Sequence, residues 1–338
     1  MFDTKLWKKY IKEVLENHSE IATYGNAQGE LMLRQALQQY AYSVRGVLCS
    51  ADDIIVGSSF QSLLYLLCGL LPHDLHVGME EECYVQAKKV FQDYHFEISN
   101  LTLFDDGVSI QELNDKHIDL LYINAGSQGK LHQPLSKKKR AELIQWAKET
   151  NSYIIEDDHN GELRYMSKVN NSMQGFDIGE HIFYIGSFSR LLLPSLRISY
   201  LVLTKKMSNV YKNNKFYYAP TSSKIEQLAL AHYIIDGHLE RHVKRLTKKY
   251  EKKCKNMEML IQKYFPNTPY ILEEASLQFI LTFEYIDIEY LKKSLDKEQI
   301  ACTITKSKKI LLSFAAIEEN EMEEGIHLLS NIIKESIA

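Results

Sequence analysis

Glycine is scarce in this chain, and long apolar runs do not occur in it. The 338 residues include 15 glycines, which is below the usual share of about 7%. Loops that hold phosphates and cofactors need glycine where the backbone approaches a ligand, so the shortage argues against a fully equipped cofactor site. The longest apolar run, around Leu63–Leu71, contains Cys68 and Gly69. It predicts a buried helix and no membrane span.

Cysteine pairs, a leader and a strong net charge are also missing. The five cysteines are scattered and form no Cys-x-x-Cys pair, so we expect buried thiols in a reducing cytoplasm. The first residues have no signal-peptide core, which favours a cytoplasmic location. A formal net charge of −4 gives no overall basic footprint for nucleic acid. The length is sufficient for two domains with apolar cores.

Short apolar runs alternate with helical patterns along most of the chain. Strands are predicted at 54–56, 76–79, 120–123, 153–156, 182–185, 200–203, 278–283 and 310–314. Helices are predicted at 4–17, 31–44, 60–71, 84–94, 136–150, 289–299 and 319–334, with one long or broken helical stretch at 222–262. Between the first strand and about residue 202 this alternation indicates crossover units and a mostly parallel α/β sheet. Ligands of such sheets bind at the carboxyl ends of the strands.

The C-terminal part has a different pattern, in which strand-like runs and helices suggest a small α+β domain. We therefore predict an N-terminal helical segment at 1–22, a large domain at 23–235 and a small domain at 236–338.

The segment 186–197 carries the most informative pattern. It begins Gly-Ser-Phe-Ser-Arg and continues with Pro194 and Arg197. It resembles the cofactor-lysine segment of fold type I pyridoxal-phosphate (PLP) proteins, as found in the aminotransferase-like domains of MocR/GabR-type transcriptional regulators. Those domains have Gly-Thr/Ser-Phe-Ser-Lys, then proline and arginine at the same spacing, so Arg190 stands where the Schiff-base lysine is expected. A guanidinium stays protonated and cannot condense with an aldehyde.

The resemblance is colinear over most of the chain and implies a phosphate site. Hydroxyls and a guanidinium fork suit a phosphate, and so does the start of a helix that follows a strand. Ser187, Ser189 and Arg197 are expected to hold the phosphate, and the other cofactor contacts expected from these segments are Ser59, Phe60, Gln61 and Arg190. Ser59 replaces a glycine of the family, which weakens the close approach of the backbone.

Tyr24 begins a Tyr-Gly-(x3)-Gly segment that is similar to one in the family. There the tyrosine reaches the phosphate of the partner subunit, so the resemblance implies a homodimer. Taken alone, the segment predicts a glycine turn before helix 31–44, and the two interpretations are compatible.

Four further residues would surround the pyridine ring if the resemblance holds. Tyr84 would stack on it, and Asp157 would pair with its nitrogen. His159 replaces a tyrosine near the ring hydroxyl, and Gln128 is retained in the loop at the ring oxygen. From the pattern alone, Tyr84 is as well explained as the first core residue of a helix. The acidic residues near His159 have no known metal-ligand spacing, so no metal is expected.

Other positions depart from the family in ways that affect substrate and catalysis. The arginine that forks the substrate carboxylate is Leu311 here, and a Pro-Thr-Gly triplet has become 130–132, Lys-Leu-His. The positions retained for the fold and the phosphate are Tyr24, Gln61, Asp157, Ser187, Ser189 and Arg197.

These features predict a fold type I aminotransferase-like α/β protein without transaminase activity. It would act as an effector domain that binds PLP non-covalently, or a small amino-acid-like ligand. Two alternatives stay open: a PLP-dependent aminotransferase of class I/II that uses another lysine, with Lys130 as the candidate, and a cofactor-free dimerisation module. The regulators of the family carry an N-terminal winged-helix DNA-binding domain, and we expect this chain to begin at the effector domain without one.

Overall fold

A computed structural model of the chain describes residues 2–80, 84–127, 133–158, 161–305 and 307–337. The chain divides into two compact units. The first consists of residues 1–130, 134–163 and 169–244, and the second of residues 131–133, 164–168 and 245–338.

The elements follow one another with short connections. The helices are α1 (Thr4–Glu16), α2 (His18–Ile21), α3 (Leu31–Arg45), α4 (Phe60–Leu70), α5 (Val85–Asp93), α6 (Ile110–Asp115), α7 (Lys137–Thr150), α8 (Gln174–Asp177), α9 (Lys205–Asn214), α10 (Lys224–Ile235), α11 (His238–Tyr264), α12 (Ile288–Lys297) and α13 (Met322–Ile337). The strands are β1 (Ile54–Gly57), β2 (His76–Glu80), β3 (Glu97–Leu101), β4 (Leu120–Ile123), β5 (Tyr153–Asp158), β6 (Ile182–Ser187), β7 (Ser199–Val202), β8 (Tyr270–Glu273), β9 (Gln278–Thr282), β10 (Thr303–Ile304) and β11 (Lys309–Ser313).

The first unit is built around one large sheet with the strand order β1-β7-β6-β5-β4-β2-β3. All neighbours from β6 to β3 are parallel, and only β7 runs antiparallel to its neighbours. The predicted mostly parallel sheet is therefore confirmed. Strands β1, β4 and β7 are buried along their whole length, as expected when helices cover both faces of a sheet.

Successive residues of the central strands enter two different apolar cores. Ile155 and Phe183 pack with Leu64 of α4 and Phe91 of α5. Their neighbours Ile154 and Ile182 belong to the core on the other face, which contains Leu143 and Trp146 of α7. The side-chain period of 2 in a strand therefore explains why these segments are continuously apolar.

The carboxyl ends of β4, β5 and β6 lie at one edge of the sheet. Ile123 pairs with Glu156, and Asp158 pairs with Gly186, so the polar residues at the ends of β5 and β6 are neighbours. This edge is where an open α/β sheet places its ligands.

Helix α1 packs against α10, and the hydroxyl of Tyr10 donates a hydrogen bond to the carboxylate of Asp236. The helical stretch predicted at 222–262 is broken between α10 and α11. Gly237 has a φ of 70° there, in the left-handed region that glycine tolerates best.

The second unit is a small α+β body. Its four-stranded sheet has the antiparallel order β10-β11-β9-β8. Its core joins Ile261 of α11, Phe279 of β9, Leu291 of α12 and Ile326 of α13. The alternation of strands and helices predicted for this part of the chain is confirmed. Among the described residues, no helix is both long and apolar enough to cross a membrane.

Candidate functional site

Asp157 is the central acidic residue at the carboxyl edge of the large sheet. Its side chain is almost buried, and its Oδ2 accepts a hydrogen bond of 2.6 Å from the hydroxyl of Tyr122. Tyr122 lies on the neighbouring strand β4 and is itself buried. Tyr122 was not among the predicted site residues, although a phenol within an otherwise aliphatic buried strand indicates a polar partner.

The aromatic side chain of Phe60 contacts those of Tyr84 and Tyr122 next to Asp157. The ring of Phe60 lies 5.5 Å from that of Tyr84 and 6.1 Å from that of Tyr122, and both contacts are edge-on. The side chain of Tyr84 is half exposed. A ring held by aromatic neighbours but open on one side offers a stacking surface for a planar ligand.

The pKa of the Tyr84 phenol depends on its burial and on two nearby charges. Burial raises its pKa most, the negative charge of Asp157 raises it further, and the positive charge of Arg197 lowers it. The structure therefore brings Tyr84, Asp157 and Arg197 within electrostatic reach of one another.

A chain of serine hydroxyls follows the end of β6. The Oγ atom of Ser187 lies 3.3 Å from that of Ser189 and 3.2 Å from that of Ser199. The amide of Ser189 also faces the Ser187 hydroxyl at 3.4 Å. Ser187 and Ser189 were predicted site residues, whereas Ser199 was missed because it lies on the antiparallel strand β7, outside the motif.

The loop between β6 and β7 has a polar and an apolar side. Arg190 and Arg197 are exposed, whereas Phe188, Leu191 and Leu196 are buried. Arg197 has φ 52° and ψ 50°, a left-handed conformation that costs a residue with a Cβ atom about 1–2 kcal/mol. Such strain persists only where the surrounding structure holds it, and it often accompanies a ligand site.

Ser59 is the N-cap residue of α4. Its hydroxyl accepts a hydrogen bond of 3.0 Å from the amide of Ser62, and its own amide donates to the Ser62 hydroxyl at 3.1 Å. This reciprocal capping box stabilises the first turn of α4. The preceding amide, that of Ser58, donates to Oγ1 of Thr221 at 3.2 Å. Gln61 lies half-buried in the first turn of α4.

The structure also describes two other positions that the sequence analysis named. Tyr24 is fully exposed, and Leu311 lies in β11 of the second unit. Gln128, Lys130 and His159 lie outside the described residues.

A buried ion pair lies directly behind Asp157, on the other face of β5. The guanidinium of Arg45 contacts Asp158 through Nε at 2.5 Å and Nη2 at 3.0 Å. The hydroxyl of Tyr184 donates to the same carboxylate at 2.5 Å. Both members of the pair are almost completely inaccessible, so the bidentate geometry and the phenol are what satisfy the buried charges.

Glu162 is a second carboxylate in this buried region. It faces the hydroxyl of Tyr40 at 3.3 Å. Burial, and after it the negative charge of Asp158, raise the pKa of Glu162 to about 7. Arg45 can neutralise only one of the two carboxylates, so Glu162 retains its proton well above the usual range of a glutamate.

Comparison with solved structures defines the class of fold. No protein-family model matches the chain. The kynurenine aminotransferase of Pyrococcus horikoshii, solved in complex with PMP and its substrates and products, matches with a TM-score of 0.85 at 23% identity, over 100% of this chain and 88% of the other. The protein therefore has the fold type I architecture of PLP-dependent aminotransferases, as predicted.

Comparison of sequences defines the family. The HTH-type transcriptional regulator YdeL of Bacillus subtilis is 31% identical over 339 residues, which is 97% of this chain and 73% of the relative. The probable rhizopine catabolism regulatory protein MocR of Rhizobium meliloti is 24% identical over 340 residues, 97% of this chain and 69% of the relative. The chain belongs to this family of MocR-type HTH transcriptional regulators and covers their aminotransferase-like region.

The raised pKa of Glu162 predicts a specific dependence of stability on pH. Since the folded state holds the proton more tightly than the unfolded state, this contribution is fully present below about pH 4.5 and is lost as the pH rises through about 7. We expect the free energy of unfolding of the wild type to fall, relative to that of Glu162→Gln, by roughly 2 kcal/mol between pH 5 and pH 8. Urea unfolding at both pH values measures this difference. The exposed Glu97→Gln is the control, and parallel pH profiles for wild type and Glu162→Gln would contradict the prediction.

Proposed function

We propose that this chain is the effector domain of a MocR-type regulator and that it binds a phosphorylated pyridine of the PLP class without forming a covalent bond to it. The binding site is the carboxyl edge of β4, β5 and β6. The observation that carries the proposal is the buried Asp157 carboxylate, hydrogen-bonded by Tyr122 and within electrostatic reach of Tyr84 and Arg197.

The residues present suit the two ends of such a ligand. Asp157 would pair with a protonated pyridine nitrogen, and the half-exposed ring of Tyr84 would cover the flat face of the pyridine. The hydroxyls of Ser187 and Ser189 and the guanidinium of Arg197 would hold the phosphate. When bound, PLP supplies an aldehyde and an electron sink.

Arg190 supports binding without transaminase chemistry. It lies at the position that the resemblance assigns to the lysine of active enzymes, and its side chain is exposed. A guanidinium remains protonated at every physiological pH and does not act as the amine nucleophile. In a regulator, a ligand held without turnover shifts the population of conformations and needs no catalysis.

A second copy of the chain is the partner that we propose for one surface of the first unit. Tyr24, Phe216 and Tyr217 are 100%, 88% and 86% exposed. They belong to neighbouring segments, since Lys224 donates a hydrogen bond of 2.9 Å to Thr23. Highly exposed aromatic side chains on neighbouring segments favour a protein interface. The same stretch reaches the start of α4 through Thr221, so a partner on this surface would lie next to the proposed phosphate site.

Arg197→Ala tests the phosphate contact. We expect PLP at 100 times its dissociation constant to stabilise the wild type by about 2.7 kcal/mol and the variant by much less. Thermal unfolding with and without PLP measures this. Arg197→Lys is the matched control, because it keeps the charge and loses only the fork, and it should retain part of the effect. Equal stabilisation of wild type and Arg197→Ala would place the phosphate elsewhere.

Arg190→Lys tests the position of the aldehyde. A lysine there should form a carbon–nitrogen bond with the aldehyde of PLP, with loss of water, and borohydride should trap the adduct on residue 190. Peptide mass spectrometry detects it, and Arg241→Lys provides a control on an exposed helix position. If PLP stabilises Arg190→Lys and no adduct forms on residue 190, the aldehyde does not lie next to this residue. An adduct on another lysine of the wild type would favour an active enzyme instead.

The double substitution Phe216→Ser and Tyr217→Ser tests the proposed dimer surface. Loss of two exposed aromatic side chains should weaken the dimer at least tenfold and leave the fold intact, because neither ring is in a core. Sedimentation velocity over a concentration series measures the dissociation constant. Tyr285→Ser, at an exposed aromatic residue of the second unit, should have no effect. A wild type that sediments as a monomer at all concentrations would refute the proposed dimer.

A further inference from the structure

His242 in the first turns of α11 makes a buried contact that the proposed ligand site does not explain. The residue is 2% exposed, and its Nε2 atom lies 2.7 Å from the carbonyl oxygen of Leu191. A carbonyl oxygen only accepts hydrogen bonds, so Nε2 carries the hydrogen and donates it. The contact joins residues 51 positions apart in the sequence.

The acceptor belongs to the loop that carries the proposed phosphate contacts. Leu191 directly follows Arg190, and the amide of Leu192 donates to the carbonyl of Phe188 at 2.9 Å, which closes the turn. Ser189 and Arg190 lie on the more accessible side of this turn, while Phe188 and Leu191 are buried beneath it. His242 therefore holds the underside of the loop whose upper side would meet the ligand.

The same imidazole contacts the N-terminal segment. The ring of Phe2 meets that of His242 edge-on, at 5.7 Å and an interplanar angle of 88°. Phe2 also lies 5.7 Å from the ring of Trp7 and 5.8 Å from the ring of Tyr233 on α10. The buried side chain of His242 thus contacts both the loop between β6 and β7 and the aromatic cluster that anchors residues 2–7.

We propose that His242 is a positioning residue that couples the loop 188–197 to the N-terminal segment of the chain. A ligand that shifts the loop would displace the Leu191 carbonyl, and the imidazole would pass that displacement to Phe2 and α1. Coupling between two sites is reciprocal, so a change at Phe2 must also alter the loop. The identity of the ligand rests on the proposed function, whereas the coupling rests on the contacts of His242 alone.

The first test needs no ligand and uses hydrogen–deuterium exchange of backbone amides. His242→Phe keeps an aromatic ring beside Phe2 and removes the donor to Leu191. We expect exchange in residues 188–192 to become about two to ten times faster, as loss of one buried hydrogen bond implies. His238→Phe is the matched control, because His238 lies in the same aromatic cluster and hydrogen-bonds to Arg241. Unchanged exchange in His242→Phe would overturn the proposal.

A double-mutant cycle separates coupling from a general loss of stability. Phe2→Leu should accelerate exchange in residues 188–192 when His242 is present and have little further effect in His242→Phe. Additive effects of the two substitutions would overturn the coupling. The cycle also uses no ligand, so it holds whether or not PLP binds.

The second test adds PLP as the probe. In the wild type, saturating PLP should slow exchange in the loop and change exchange in α1 at least twofold. In His242→Phe the loop should still respond, while the response of α1 disappears. A response of α1 that persists in this variant, or a wild type in which only the loop responds, would overturn the proposal. If PLP protects no part of the loop, the proposed ligand is wrong, and the ligand-free tests still decide the coupling.

Discussion

The buried fork between Arg45 and Asp158 is the interaction on which the candidate site depends. Successive side chains of a strand point to opposite faces, so anchoring Asp158 behind β5 directs Asp157 to the other face. There the Tyr122 hydroxyl meets it at 2.6 Å. A pair buried this deeply adds little net stability compared with apolar residues, because the cost of desolvation offsets the attraction between the charges. The bidentate contact fixes the orientation of Asp158 and leaves Asp157 at the carboxyl edge of the sheet.

The site combines a retained architecture with a proposed loss of chemistry. Under the proposed function, the Asp157 carboxylate, the Tyr84 ring and the serine hydroxyls after β6 would hold a phosphorylated pyridine. Under the proposed function, the ligand binds but is not turned over, because Arg190 stands at the position of the reactive lysine. For a regulator this is a coherent outcome, since a signal requires only that the ligand bind two conformations with different affinity.

The loop between β6 and β7 connects this site to the rest of the first unit. Its exposed side presents Arg190 and Arg197, and its buried side is anchored by leucines, Phe188 and the hydrogen bond from His242. The backbone of Arg197 is in the left-handed region. This conformation is unfavourable for a residue with a Cβ atom, so the surrounding structure must hold it in place. Under the two proposals, a ligand on the exposed side of this loop would displace the Leu191 carbonyl and, through His242, affect the N-terminal segment.

Local patterns in the sequence determined most elements of the fold, because apolar periodicity is a property of neighbouring residues. The central strands β4, β5 and β6 and helices α4 and α7 lie where they were predicted, and the motif at 186–197 indicated the family. Strand β3 was missed since it is a half-exposed edge strand, and α9 was missed since its few apolar residues lie among lysines and asparagines. Only the tertiary structure decided the pairing of Arg45 with Asp158, of Tyr122 with Asp157 and of His242 with Leu191. Those partners are 113, 35 and 51 residues apart in the sequence. They meet because the folded sheet brings distant segments together, and the local spacing of residues does not encode such contacts.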